Sequence, residues 1–284
     1  MNKVPKNKIA IIALILGLIC LFLIVFRTYK AQPTTTLDKV LSRGEIQIGY
    51  VVNPPALIKD PNTGKLSGIY YDAVELMAKN LSLKTNWKEE TGWGTMAEGL
   101  YAGRYDMVIG GIWPSSTRSK KADFSIPLYY SAVNAYVRSN DYRFNGPEDI
   151  NSSSVTIATV DGEMSSIIAK NSYPAVKTLS LPEDASIAQN LLNVKTGKAD
   201  VTFVEKAVAE EFMASNPGTI KNPFATYIRI FGNTIVLPKN QEGFSNMVDT
   251  AMQEIINSND AERIITSYEK TPNSFYLPQK PFVR

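Results

Sequence analysis

The sequence predicts an α/β protein: two Rossmann-like α/β lobes with a ligand cleft between them, preceded by one N-terminal transmembrane helix. Apolar, β-rich segments alternate with amphipathic segments of helical period, and this alternation occurs twice in the same order. The repetition predicts two similar lobes. An uncharged apolar run near the N-terminus predicts the membrane span.

The elements of the two lobes follow from this alternation. In the first set we expect strand EIQIGYVV, helix GIYYDAVELMAKNL, strand KTNWKEE, helix MAEGLYAGR and strand YDMVIGGI. In the second set, after the turn GPEDI, we expect strand SVTIATV, helix GEMSSIIAKN, strand AVKTLSL, helix ASIAQNLLNVKTGK and strand ADVTFVEK. Strand NTIVLPK and helix FSNMVDTAMQEIINSN then return to complete the first set. Open α/β sheets bind ligands at the carboxyl ends of their strands, so two such lobes predict a cleft between them.

The predicted domain boundaries follow the same order. They are residues 1–31 for a basic start and the apolar helix, 32–43 for a linker, 44–131 with 232–270 for lobe 1, 132–231 for lobe 2, and 271–284 for a C-terminal strap. Hinges are expected near Tyr130 to Ala132 and near Phe231 to Asn233.

The N-terminus predicts export. Lys3, Lys6 and Lys8 precede the apolar run Ile9 to Phe26, which as a helix measures about 27 Å, close to the thickness of a bilayer core. The lysines predict that this end stays in the cytoplasm while the remainder lies outside. An uncleaved anchor and a cleaved signal peptide both remain open, and either places the lobes in the periplasm or at the outer face of the membrane.

The composition excludes several kinds of active site. The chain has no histidine, and its one cysteine, Cys20, lies in the apolar run. Structural disulfides, cysteine nucleophiles, Ser-His-Asp triads and most zinc sites are therefore excluded. A net charge of +3 with interspersed signs predicts no nucleic-acid-binding face. We expect no metal and no cofactor.

One segment carries a specific signature. Residues 110–131 read GGIWPSSTRSKKADFSIPLYYS, in which Arg118 stands six residues before Phe124. Together with LDKVLSRGEIQIGY, GKLSGIYYDAVELMAKNL and TGKADVTFVEKAVAEEF, this segment resembles the polar amino-acid substrate-binding proteins of ABC transporters, bacterial extracellular solute-binding protein family 3. The resemblance covers about residues 37–268 and implies the type II periplasmic-binding fold.

The resemblance also implies a ligand site. Arg118 would hold the α-carboxylate of an amino acid, and Glu205 stands where the family has an aspartate for the amino group. Arginine presents a planar fork of donors that matches a carboxylate, and a buried ammonium needs an anion, so the chemistry agrees with both roles. The predicted ligand-binding residues are Arg118, Glu205, Trp93, Gly111, Gly110, Trp113, Ser115, Glu163 and Met164. The residues alone leave open that Arg118 and Glu205 are solvated surface groups.

Two departures from the family pattern bear on the ligand. Trp113 replaces a small hydroxyl residue that contacts the amino group in the family. The Gly-Thr anion-binding turn of the second lobe reads DGEMSS, which contains Glu163. Glu163 either caps the following helix or forms an acidic wall of the cleft, in which case the ligand carries a second positive centre or a hydroxyl-rich group.

The predicted function is a membrane-attached extracytoplasmic receptor, not an enzyme, that binds a small polar, amino-acid-like ligand as a monomer. Its expected partners are an ABC permease or a membrane sensor, and the membrane itself. Two alternatives remain. One is a dehydratase that resembles cyclohexadienyl dehydratase and acts on prephenate or arogenate, with Glu205 or Glu163 as general acid. The other is a degenerate domain that serves as a scaffold without a ligand.

Overall fold

The computed structural model describes residues 14–21 and 35–278. Residues 14–21 are helical, and the elements after them are numbered from Thr36. In the part of the chain that is described, no helix combines the length and apolarity needed to cross a membrane. Most of the predicted span, residues 9–26, and the last six residues of the predicted strap lie outside the described residues, so both remain predictions.

Helices and strands alternate along the chain as the sequence predicts. The α-helices are α1 (Thr36–Arg43), α2 (Ile69–Asn80), α3 (Met96–Tyr101), α4 (Met164–Ser172), α5 (Ala188–Lys195), α6 (Lys206–Ser215), α7 (Glu242–Asn257) and α8 (Asp260–Tyr268). The strands are β1 (Glu45–Tyr50), β2 (Ile58–Lys59), β3 (Leu66–Ser67), β4 (Lys84–Glu90), β5 (Met107–Ile112), β6 (Ala122–Phe124), β7 (Tyr129–Arg138), β8 (Thr156–Val160), β9 (Lys177–Leu181), β10 (Val201–Glu205), β11 (Ile220–Lys221), β12 (Arg229–Pro238) and β13 (Phe275–Tyr276). Two 3₁₀ turns cover Arg118–Lys120 and Pro147–Ile150.

One mixed sheet runs through the molecule in the order β4-β1-β5-β12-β7-β10-β8-β9. At one end β1 is parallel to β4 and β5, and we call β1, β4 and β5 with their helices the first section. At the other end β8 is parallel to β9 and β10, and these strands with α4, α5 and α6 form the second section. The α/β class is therefore as predicted.

The long strands β7 and β12 connect the two sections. Their first halves pair antiparallel, with Phe231 opposite Ser131 and Gly232 opposite Tyr130. Beyond that stretch β7 pairs with β10 of the second section, and β12 pairs with β5 of the first. The two predicted hinge segments thus lie side by side on paired strands, and β13 pairs with β7 at Ser131 and Tyr130.

Each section has its own hydrophobic core. The first core includes Ile48, Met77 and Val248, where β1, α2 and α7 meet, and the second includes Ile157 and Phe203, where β8 and β10 meet. Burying one such side chain stabilises the fold by about 1.5–3 kcal/mol. Both cores therefore fix the ends of their strands, where the candidate site lies.

The strand ends of the two sections meet because both parallel sets present their carboxyl ends to the same space. Strand β5 is buried at every residue, and so is β10, which ends at Glu205. A third apolar cluster spans the junction, with Trp93 and Val108 from the first section and Val160 from the second. The loops after these strands therefore surround a common interior.

Candidate ligand-binding site

A cavity lies where the strand ends of the two sections meet. Its residues are mainly apolar, with one arginine and two glutamates. They are Asn53, Trp93, Gly111, Trp113, Arg118, Glu163, Met164, Ile187, Val204, Glu205 and Val208. The side chains close this cavity almost completely and leave about 10 Å³, room for about one water molecule. A ligand of amino-acid size therefore fits only when the surrounding groups move apart.

Arg118 lies at the start of a 3₁₀ turn and reaches across the cavity. Its backbone N–H donates to the Ser115 hydroxyl at 3.2 Å, which closes the turn. Nη1 donates to the carbonyl of Trp113 at 2.8 Å, and Nη2 donates to the carbonyl of Gly162, in the second section, at 2.6 Å. Burial lowers the pKa of Arg118 to about 10, against the attraction of Glu163. The guanidinium stays charged at neutral pH and connects the two sections.

Glu163 has both roles that the sequence left open. It is the N-cap of α4, where its carboxylate accepts hydrogen bonds from the Ser165 backbone N–H at 2.7 Å and from the Ser165 hydroxyl. It is also 4% exposed and lines the cavity. Burial raises the pKa of Glu163, and the hydrogen bonds from Ser165 and the charge of Arg118 oppose that rise. The same carboxylate therefore caps the helix and forms an acidic wall of the cavity.

Glu205 lies at the end of β10, where that strand passes directly into α6. It is 6% exposed, and its Oε1 accepts a hydrogen bond from the Ser131 hydroxyl at 2.9 Å. Burial raises the pKa of Glu205 to about 7; the Ser131 hydrogen bond lowers it and the charge of Glu163 raises it further. A nearby cation would therefore stabilise the ionised form of this carboxyl.

A hydrogen-bonded chain connects Trp113 to Glu205. The Trp113 indole N–H donates to Asn233 Oδ1 at 2.9 Å, and Asn233 Nδ2 donates to the Ser131 hydroxyl at 2.7 Å. The Trp113 ring stacks on Phe231 with a centroid distance of 4.6 Å. Trp113 follows β5 of the first section but packs in the core of the second. The residue that departs from the family pattern therefore forms part of the contact between the sections.

Seven of the nine predicted site residues come together around the cavity: Trp93, Gly111, Trp113, Arg118, Glu163, Met164 and Glu205. Gly110 and Ser115 lie beside it instead. The Gly110 carbonyl accepts from Asn53 Nδ2 at 3.2 Å, and Ser115 supports the Arg118 turn. Gly111 has φ +66°, and a Cβ there would lie 2.6 Å from that of Ala56, so glycine is required.

Four cavity residues escaped the sequence analysis: Asn53, Ile187, Val204 and Val208. Asn53 follows the end of β1, and a polar side chain at such a strand end is a signal that could have been used. The three aliphatic residues carry no distinguishing pattern, because they resemble any core residue in sequence.

A wider cleft of about 800 Å³ adjoins the cavity and shares Asn53, Trp93, Ile187 and Val208 with it. Four carboxylates line this cleft: Glu90, Glu183, Asp184 and Glu211. Its described lining contains no lysine or arginine, although Lys59 pairs with Glu90 and Lys270 with Glu211 from outside the lining. A solute that enters from this side therefore meets an acidic surface before it reaches Arg118.

The arrangement is suited to binding a small charged molecule. Arg118 offers a cation, Glu163 and Glu205 offer anions, and Trp93, Met164 and the aliphatic residues offer apolar contacts. Backbone and side-chain hydrogen bonds hold all three charged groups, so they are pre-organised and cost little to order when a ligand binds.

Known proteins are similar to this chain in sequence and in fold. A probable amino-acid ABC transporter-binding protein from Haemophilus influenzae is 29% identical over 158 residues, which cover 55% of this chain and 58% of the relative. The glutamine-binding protein of Geobacillus stearothermophilus is 29% identical over 186 residues, 64% of this chain and 68% of that one. This chain thus spans less than two thirds of the Haemophilus protein.

A solved structure shows the fold. The crystal structure of an ancestral amino acid-binding protein, a precursor of cyclohexadienyl dehydratase, matches with a TM-score of 0.71 at 23% identity, covering 83% of this chain and 100% of that one. The chain therefore has an α/β periplasmic-binding-protein fold. The model of the bacterial extracellular solute-binding proteins, family 3, matches residues 46–271. Since this match covers well over half of the chain, it confirms the predicted family: the chain belongs to family 3 of the bacterial extracellular solute-binding proteins.

Proposed function

We propose that this protein is an extracytoplasmic receptor that encloses a small amino-acid-like ligand between two lobes and delivers it to an ABC permease or a membrane sensor. The observation that carries the proposal is the cavity between the two sections, where half-buried Arg118 and buried Glu205 offer opposite charges within one enclosed space. The two ends of a zwitterion need such a pair. The Haemophilus and Geobacillus relatives, an ABC transporter-binding protein and a glutamine-binding protein, support the same class of ligand.

In this proposal the two sections act as lobes, and β7 and β12 act as the hinge. Contacts made only in the closed form supply the free energy of closure, and Arg118 makes one of them by donating to the Gly162 carbonyl. The ligand leaves chemically unchanged. The predicted apolar helix, residues 9–26, would keep the receptor at the outer face of the membrane, and a cleaved signal would release it there.

The test is thermal unfolding of the full chain in mild detergent with a panel of amino acids. At 100 times its dissociation constant a ligand stabilises the folded state by about 2.7 kcal/mol, which raises the melting temperature by about 5 °C or more. We expect Arg118→Ala to abolish this shift.

Arg104→Ala is the matched control. Arg104 is an exposed arginine of the first section that pairs with Glu89, so its loss should leave the shift intact. A folded protein that gives no shift with any amino acid would contradict the receptor and would favour the scaffold alternative. If Arg118→Ala shows the same thermal shift as the native chain, Arg118 does not bind the ligand, but the receptor function stands.

A second candidate, the dehydratase, has one observation in its favour: the pKa of the buried Glu205 carboxyl is raised to about 7, which suits a general acid. In that function Glu205 would protonate the hydroxyl that leaves a prephenate-like substrate as carbon dioxide departs. Release of phenylpyruvate from prephenate, lost in Glu205→Gln, would establish the enzyme. If prephenate is not turned over and amino acids raise the melting temperature, the dehydratase is contradicted and the receptor function stands.

A further inference from the structure

The charges around the cavity do not balance. Arg118 contributes one positive charge, and Glu163 and Glu205, when both are ionised, contribute two negative charges. Both carboxylates are more than nine-tenths buried, at 4% and 6% exposure. A buried charge without a partner is costly, so the cavity favours an occupant that brings the missing positive charge.

Glu163 also removes a place where a ligand carboxylate would otherwise bind. Helix N-termini attract anions through their free backbone N–H groups. At α4 the Glu163 carboxylate already accepts from the Ser165 N–H at 2.7 Å and from the Ser165 hydroxyl. A ligand carboxylate placed there would meet a like charge instead of free donors.

Arg118 already has protein partners for two of its five N–H donors. Its Nη1 and Nη2 atoms donate to the carbonyls of Trp113 and Gly162, and Glu163 is the charged side chain that attracts it. Arg118 therefore offsets Glu163, and the charge left over in the cavity is that of Glu205.

Glu205 faces surroundings that suit an organic cation. The Ser131 hydroxyl donates a hydrogen bond to the Glu205 carboxylate. Val204 and Val208, the cavity residues closest to Glu205 along the chain, are aliphatic. Four carboxylates line the adjoining cleft; Glu90 and Glu211 pair with Lys59 and Lys270, so Glu183 and Asp184 supply the negative charge of this approach. Such a surface concentrates cations ahead of binding.

From these contacts we infer that the site selects ligands of net charge +1 over neutral zwitterions, and that Glu163 sets this selectivity. The inference rests on the proposed receptor function and adds the class of its ligand. Either a cationic amino acid or an amino acid whose carboxylate has become an amide meets the requirement.

Two matched pairs of ligands test it by titration calorimetry on the full chain in detergent. L-arginine and L-citrulline have nearly the same shape, but only arginine carries the extra charge. L-glutaminamide and L-glutamine differ in the carboxylate, so only the amide carries net charge +1. We expect the cation of each pair to bind at least about tenfold more tightly, because its net positive charge compensates the carboxylate that Arg118 leaves unpaired.

Glu163→Gln identifies the source of this selectivity. A glutamine oxygen can still accept from the Ser165 N–H, so the helix cap is retained while the charge is removed. The preference for the cation should fall at least about tenfold in both pairs. Glu254→Gln, on an exposed position of α7, is the control and should keep the preference.

The outcomes separate this inference from the receptor itself. A zwitterion that binds as tightly as its cationic partner in either pair overturns the charge rule and leaves the receptor standing. An unchanged preference in folded Glu163→Gln overturns the assignment to Glu163. Failure of all four compounds to bind overturns the charge rule, and the receptor is then decided by the thermal shifts of the full amino-acid panel.

Discussion

At the residue scale, Glu205 is a carboxyl group that the folded protein holds in an unfavourable environment. Its pKa rises from the usual 4.5 to about 7, chiefly because of burial. Below pH 4.5 the group is protonated in both the folded and the unfolded chain, and the environment costs nothing. Between pH 4.5 and 7 the unfolded chain ionises first, so stability is lost as the pH rises, and above pH 7 the loss is complete.

Glu205→Gln should remove this pH dependence. One pKa unit corresponds to about 1.4 kcal/mol. The free energy of unfolding of Glu205→Gln, compared with that of the native chain at the same pH, should therefore increase by up to about 3 kcal/mol between pH 4.5 and pH 8. Urea unfolding across that range measures it. Glu254→Gln, an exposed carboxylate, is the control and should show no such growth. A pH-independent difference for Glu205→Gln would mean that Glu205 ionises normally in the folded state.

At the element scale, the turn between β8 and α4 depends on a glycine. Gly162 has φ +73°, and a Cβ there would lie 2.8 Å from the backbone nitrogen of Gly94 in the first section. That same Gly94 N–H donates to Glu183 Oε2 at 2.8 Å. The turn thus combines a left-handed backbone with close contact between the sections.

Gly197 provides a matched control for this turn. It has φ +76°, but a Cβ there would have no neighbour within 4 Å. Alanine at either position should cost about 1–2 kcal/mol of stability through backbone strain. Gly162→Ala alone should also push the sections apart and speed hydrogen exchange of the Gly94 amide, measured by mass spectrometry of residues 91–98. Equal exchange in both variants would mean that the turn tolerates the methyl group without moving.

The elements that the sequence predicted correctly have strong local patterns, and those that it did not predict lack a local boundary. Strand KTNWKEE matches β4 residue for residue. Helix α6 was not predicted, because Glu205 ends β10 and caps α6 at once, with no turn residues between them. Strand β7 was not predicted either, since a strand buried on both faces has no alternation to show.

The candidate site divides in the same way. Arg118, Glu163 and Glu205 could be chosen in advance because a motif or a strand end marks each of them. Asn233 could not, although it joins Trp113 to Ser131, because its role arises only when β12 pairs beside β7. Side chains that act through tertiary pairing leave no signal in a single sequence.

At the scale of the whole molecule, Glu183 connects the two sections. Its carboxylate follows β9 of the second section and accepts from the Gly94 N–H at 2.8 Å and from the Thr95 hydroxyl at 3.2 Å, both in the first section. The Arg118 hydrogen bond to the Gly162 carbonyl crosses the same junction. The contact between the two sections is therefore stabilised by polar groups of the protein itself.

Loss of the Glu183 contacts should shift the molecule toward an open form. Hydrogen bonds to a charged group contribute about 1.5–3 kcal/mol, and partial exposure reduces this to about 1–2 kcal/mol, so Glu183→Ala should raise the open population about 5- to 30-fold. Spin labels at positions 101 and 192, on exposed side chains of α3 and α5, with Cys20→Ser to prevent labelling there, would report the change as longer distances.

Glu89→Ala is the matched control, because the Glu89 pair with Arg104 lies within the first section and its loss should leave the label distances unchanged. Identical distance distributions for Glu183→Ala and the native chain would mean that Glu183 does not hold the sections together. The Arg118 contact and the apolar junction around Trp93 and Val160 would then be sufficient for closure, and the receptor would open by breaking those instead.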